Sequence, residues 1–261
     1  MYKRQAETFP VLVSALSEDW DSSGISGFET LAQMGSYIAG KATLEAIELL
    51  NHDENIISVE FSPEAGEPEL RDVIDATEAS QVHIPPIDTK GDGVLIGIID
   101  NGIDVLHETF RDARGKTRIL AYWDQTDDTG PAPMINGKPL WGTVHRQLDI
   151  DRYILTGTLP HKLDRNLRHR GHGTHVSSIA AGAPCGNFSG GLAPEAKLIC
   201  VRTSQTDQSI GYSVSHTGAL QFLAHEADSR SAPMVVNMSQ GMYAGAHDGT
   251  CLLYTSDAAD D

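Results

Sequence analysis

The stretch Gly93–Asp100, "GVLIGIID", is apolar at nearly every position and ends in a carboxylate. A strand with one wet face alternates apolar and polar residues. An unbroken apolar run predicts a strand buried on both faces, as in a parallel sheet. "AKLICVRT" (196–203) and "APMVVNMS" (232–239) have the same character. Between them, "YSVSHTGALQFLAHEADS" predicts a helix with Val214, Leu220, Phe222 and Leu223 as apolar contacts, and "VSSIAAGA" (176–183) predicts a second helix of small residues. Strands alternating with helices predict an α/β fold with helices on the sheet faces. Residues 111–168 are charged, Gly/Pro-rich and Trp-bearing, and are expected to form a long surface excursion with some strand in "TRILAYW". Trp123 and Trp141 within it are expected to anchor the loop.

The sequence before residue 80 has a different pattern. "VLVSAL" (11–16) predicts a short strand. Thr43 is a suitable N-cap for a helix carrying Leu44, Ile47 and Leu50 on one face and stopping at Asn51–Asp53. Ile57, Val59 and Phe61 alternate with Ser58 and Glu60 as in a half-buried strand. The expected organisation is a small α+β lobe over 6–80, a linker over 81–91 and a larger domain over 92–250. The terminal segments 1–5 and 251–261 stand apart. "MYKRQ" and "CLLYTS" back-translate into complementary strings, an inverted repeat of sequencing-adapter type, so both are left out of the fold argument.

The 261 residues carry 19 basic and 36 acidic side chains, a formal charge of -17. That balance argues against nucleic acid as the main partner. No apolar run approaches the length of a membrane span. Cys185 and Cys200, the cysteines outside the terminal segments, imply neither a disulfide framework nor a four-thiolate zinc site. Cys200 is expected to be a small core residue.

"RHRGHGTHVSSIAAG" (168–182) holds three histidines in seven residues. Glycines flank His172 and allow close approach of another chain segment. A helix N-terminus favours neutral imidazole, and a neighbouring carboxylate would fix its tautomer; together they would make an oriented base. Asp100 is a candidate carboxylate, because functional groups collect at the carboxyl ends of strands in open α/β sheets. By itself Asp100 reads more readily as a turn former or helix cap than as a catalytic group. A zinc site on His169, His172 and His175 is the alternative for the histidines.

Taken together, "IGIIDNGIDVLHETF", "GHGTHVSSIAAG" and "VVNMSQG" resemble three signatures of the subtilisin-like serine proteases, in that family's order. The resemblance implies a subtilisin-like parallel sheet with helices on both faces, incomplete here, preceded by a propeptide-like lobe. It implies a serine endopeptidase in which Asp100 orients the imidazole and His172 shuttles the proton. His175 matches a structural position. Ser239, Gln240 and Gly241 match the strand that borders the specificity pocket and pairs with substrate, and Gly211 falls near the opposing substrate strand. The family's nucleophile lies in a Gly-Thr-Ser pattern opening a later helix, which has no counterpart before Thr250, so the chain as given is expected to be inactive.

The implied partners are a polypeptide substrate and the chain's own propeptide-like lobe. No cofactor is required for the chemistry. Thr109 stands where several members carry a calcium-binding aspartate, so neither a metal ligand nor a structural calcium is carried over. The resemblance alone is compatible with secretion or the cell envelope. A non-catalytic relative of the same fold is the alternative.

Overall fold

The computed structural model describes residues 7–62, 81–160, 163, 171–204 and 210–240. These residues form two compact units. The first contains 7–62 with 204 and 210–222, and the second contains the remainder. Among the described residues, no helix is long and apolar enough to cross a membrane.

The first unit carries four antiparallel strands, β1 (Phe9–Ala15), β2 (Phe28–Met34), β3 (Tyr37–Ala42) and β4 (Ile56–Phe61), ordered β2-β3-β1-β4. The helix α1 (Leu44–His52) begins where Thr43 Oγ1 accepts from Ala46 N–H at 3.2 Å. Its buried positions are Ala46 and Leu50, with Ile47 packed alongside, whereas Leu44 is exposed; the expected apolar face is therefore turned by about half a helical step. The alternation expected in β4 is also broken. Ile57 is 61% and Phe61 58% exposed, while Ile56 and Val59 pack on the core. The cause is a register shift opposite Ser14/Ala15: Ser14 pairs with Ser58 and Ala15 with Ile56, so Ile57 is the extra residue of a bulge.

The second unit is built on a five-stranded sheet. It joins β5 (Leu95–Asp100), β6 (Ile119–Asp124), β9 (Thr143–Arg146), β10 (Lys197–Arg202) and β11 (Met234–Met238) in the order β11-β5-β10-β6-β9. The first four run parallel and β9 is antiparallel. A two-residue pair, β7 (Met134–Ile135) and β8 (Lys138–Pro139), lies between β6 and β9 in sequence. All six residues of β5 are buried, as the unbroken apolar run predicts. Ile96 and Ile98 face a core that includes Ile150 and Tyr153 of α2 (Gln147–Thr156) and Ala181 of α3 (His172–Ala181). On the opposite face Gly97 leaves room for Leu223, in the later half of α4 (Tyr212–Arg230). Helices thus cover both faces of the sheet.

Two expectations fail here. Residues 111–160 are no surface excursion, since they supply β6, β9 and α2, and Trp123 is fully buried with its indole N–H on Trp141 O at 2.7 Å. In β11, Val235 is 62% and Val236 40% exposed, because β11 pairs with β5 on one side and forms the edge of the sheet among the described residues.

His145 of β9 is buried, with Nδ1 3.1 Å from the Tyr153 hydroxyl. Burial lowers its pKa, against the opposing charges of Asp124, Asp127 and Asp149. A depressed folded-state pKa means that the unfolded chain takes up the proton first. His145 therefore costs nothing above the ordinary imidazole value near 6.5 and destabilises the fold as pH falls below it. An NMR titration of its Cε1 proton is expected to give a midpoint below about 6.5; a midpoint at or above that value contradicts the assignment.

Candidate active site

The candidate site sits where β5 ends. Parallel pairing with β10 on one side and β11 on the other fixes the end of β5, and Asp100 is paired opposite Arg202. Thr203 strengthens this junction. Its N–H donates to Asp100 O at 2.9 Å, and its hydroxyl donates to the same oxygen at 3.2 Å. The Asp100 carboxylate then turns inward, 1% exposed, and its Oδ1 accepts from Asn101 N–H at 2.7 Å.

The imidazole arrives from α3. Gly171 precedes the helix with φ 71°, a left-handed conformation that glycine adopts without strain. His172 is therefore the first residue of the helix rather than one lying just before it. Its Nδ1 is 3.0 Å from Asp100 Oδ1, and the ring is buried at 5% exposure. A carboxylate accepts only, so this contact sets Nδ1 as the protonated nitrogen. The other nitrogen, Nε2, is enclosed and has no hydrogen-bond partner among the described residues. The approach depends on Gly173, where a Cβ would lie 2.8 Å from Asp100 Oδ1 and would also strike Gly102 O. Thr174 ties the helix to the loop after β5, accepting from Asp104 N–H at 2.9 Å.

His175 is exposed and His172 buried, so these two imidazoles do not share an enclosed site; His169 lies outside the described residues. Among the described residues no group of three or more His, Cys, Asp or Glu could hold a metal ion. Thr109 is buried with its hydroxyl donating to Ala183 O at 2.7 Å. Beneath the pair, Cys200 is buried, and burial together with the Asp100 charge pushes its thiol pKa upward. It is a core residue and no nucleophile.

The expected substrate-binding residues divide. Ser239 is half-buried and its Oγ accepts from Asn237 Nδ2 at 2.9 Å. Gln240 is buried, and its side-chain amide engages Thr203 Oγ1 at 3.1–3.2 Å. Gly211 precedes α4 and lies against Ser62, where a Cβ would collide with the Ser62 carbonyl. Gly241 lies outside the described residues. Sequence reasoning missed Thr203 and Thr174. The one available signal was position: Thr203 follows an apolar strand directly, and Thr174 lies two residues after His172.

The family model of the subtilases matches residues 91–258. The chain belongs to the subtilase family. Among solved structures it is similar to the CspB protease of Clostridium perfringens, at 27% identity and a TM-score of 0.54, over 70% of this chain and 36% of that one. It also matches fervidolysin from Fervidobacterium pennivorans, a keratinolytic enzyme related to subtilisin. That match has 14% identity and a TM-score of 0.48, over 95% of this chain and 38% of that one. The chain thus spans little more than a third of the length of either protein. A search of curated proteins returned no match.

Substitution Gly173→Ala is expected to force α3 away from Asp100, costing about 1–3 kcal/mol in urea unfolding and breaking the Asp100–His172 contact. Unchanged stability with the contact intact would show that the close approach is dispensable.

Proposed function

We propose that this chain is part of a serine endopeptidase of subtilisin type, which cleaves peptide bonds by acyl transfer through a serine ester. The observation that carries the reading is the buried Asp100–His172 pair, with Nδ1 committed to the carboxylate and Nε2 uncommitted. That is the arrangement needed to take a proton from a serine hydroxyl and return it to the leaving amine. Asp100 would hold the tautomer and stabilise the imidazolium. The serine and the oxyanion donor would come from sequence beyond residue 250, so the chain alone would not hydrolyse peptides. No cofactor enters this chemistry.

Ser239, Gln240 and Gly241 would form one wall of the substrate cleft, with Gly211 near the opposing one. The buried Gln240 side chain suits a role in holding that wall rather than in touching substrate. The lobe before residue 80 would assist folding and stay in place until cleavage near 80–92. Within the first unit, three contacts join the lobe to the first half of α4. Ser62 Oγ accepts from Val214 N–H in the first turn of α4 at 3.1 Å. Gln33 N–H donates to Gln221 Oε1 at 3.3 Å, and Gln221 Nε2 donates back to Gln33 O.

The test uses the full-length natural protein. Asp100→Asn should lower kcat on a peptide substrate roughly 10⁴-fold, with KM changed far less. Retention of activity within a few fold would remove the triad reading.

A further inference from the structure

We propose that a cavity at the amino-terminal edge of the parallel sheet binds a compact small-molecule oxyanion, one bearing phosphate or several carboxylate groups. The cavity is about 500 Å³ and lies at the opposite end of the strands from Asp100. Roughly 16 Å of strand separates the two ends of β5. The inference is independent of the peptidase reading.

Four cationic side chains line this cavity in a chain of net charge -17: Lys90, Arg111, Arg118 and Lys197. Arg118 is 3% exposed. Its guanidinium donates to the carbonyls of Arg111, Ala196, Thr109 and Ala181. Those four bonds use four of its five N–H donors and are made to neutral carbonyls. Among the described residues, no carboxylate comes within ion-pairing distance of Arg118, Arg111 or Lys197. Arg111 uses one terminal nitrogen on Leu106 O, and its enclosed Nε has no partner. Lys90 has only an exposed contact to Asp88 at 3.6 Å, of the kind that contributes little.

Four cations brought to one cavity are costly to hold together, and a bound anion offsets that cost directly. The carboxylates around the cavity fill this role only in part: the Asp112 charge acts on Arg118 and Lys197, and three carboxylates stand against four cations. Asp92 and Glu195 belong to exposed residues, and Asp112 Oδ1 is taken by the backbone N–H groups of Arg114 and Lys116. Arg118 is buried, and Lys90, Arg111, Lys197 and Asp112 are half-buried. The volume exceeds that of one inorganic phosphate and falls in the range of small-molecule sites.

The segment 81–91 supplies part of the wall. His83 and Lys90 line the cavity, the His83 ring meets Leu192 O at 2.7 Å, and Lys90 O accepts from Glu195 N–H at 2.9 Å. An anion bridging Lys90 to Arg111 and Lys197 would fasten this connecting segment to the sheet.

The test is calorimetric titration of the full chain with pyrophosphate and, separately, citrate, at constant ionic strength. Saturable one-to-one binding is expected for at least one probe. It should weaken roughly tenfold in Lys197→Gln and disappear in the Arg111→Gln/Lys197→Gln double variant, as loss of charge-assisted hydrogen bonds requires. Lys197→Gln changes a half-buried side chain at a strand start and keeps the variant series readable if the double variant fails to fold. Binding of pyrophosphate alone assigns a phosphate ligand, and binding of citrate alone assigns a polycarboxylate. No saturable binding by either probe, or binding unchanged in Lys197→Gln, overturns the proposal.

Discussion

The contact between Asp100 Oδ1 and His172 Nδ1, 3.0 Å across a buried junction, sets the demands that the surrounding chain must meet. A carboxylate buried at the end of a strand needs donors. It finds them in the Asn101 N–H and the imidazole. The imidazole in turn must be presented by a helix lying very close to that strand, and only a residue without a Cβ at 173 permits the approach. Small residues along the buried face of α3, Gly173, Ser177 and Ala181, extend the same constraint over its length. The sheet contributes rigidity. With β10 and β11 pairing on either side, the end of β5 has little freedom, and Thr203 fixes the Asp100 carbonyl from the next strand.

Much of this was legible in the sequence because it depends on local chemistry. The run from Leu95 to Ile99 has no polar position, so only a strand covered on both faces accommodates it. Gly171 and Gly173 around a histidine mark a close backbone approach. The three motifs in order then supplied the family, which the match over residues 91–258 established. The equally apolar "MVV" of β11 was misleading. Its own residues resemble those of β5, but burial is decided by what lies on each side, and Val235 and Val236 are exposed.

What the sequence did not disclose was set by distant pairing. β6 and β9 are short and surrounded by charged and Gly/Pro-rich segments, which hid the fact that β6 is an inner strand of the sheet. The bulge that exposes Ile57 depends on the register of β1 against β4, which no periodicity in 56–61 encodes. Thr203 and Gln240 are 37 residues apart in sequence, and their hydrogen bond follows from the β10-β5-β11 order. The first half of α4 carries Ser213, Ser215, His216 and Thr217, yet all four are buried. Their burial is decided by packing within the first unit, which no local pattern in the helix encodes.

The central claim is a protonation geometry, and ¹⁵N-edited NMR on the imidazole of His172 tests it most directly. The account predicts a proton on Nδ1, shifted far downfield by the carboxylate, with the neutral imidazole held as the Nδ1–H tautomer, and loss of that downfield signal in Asp100→Ala. A proton resident on Nε2, or a downfield signal unaffected by removing Asp100, would contradict it.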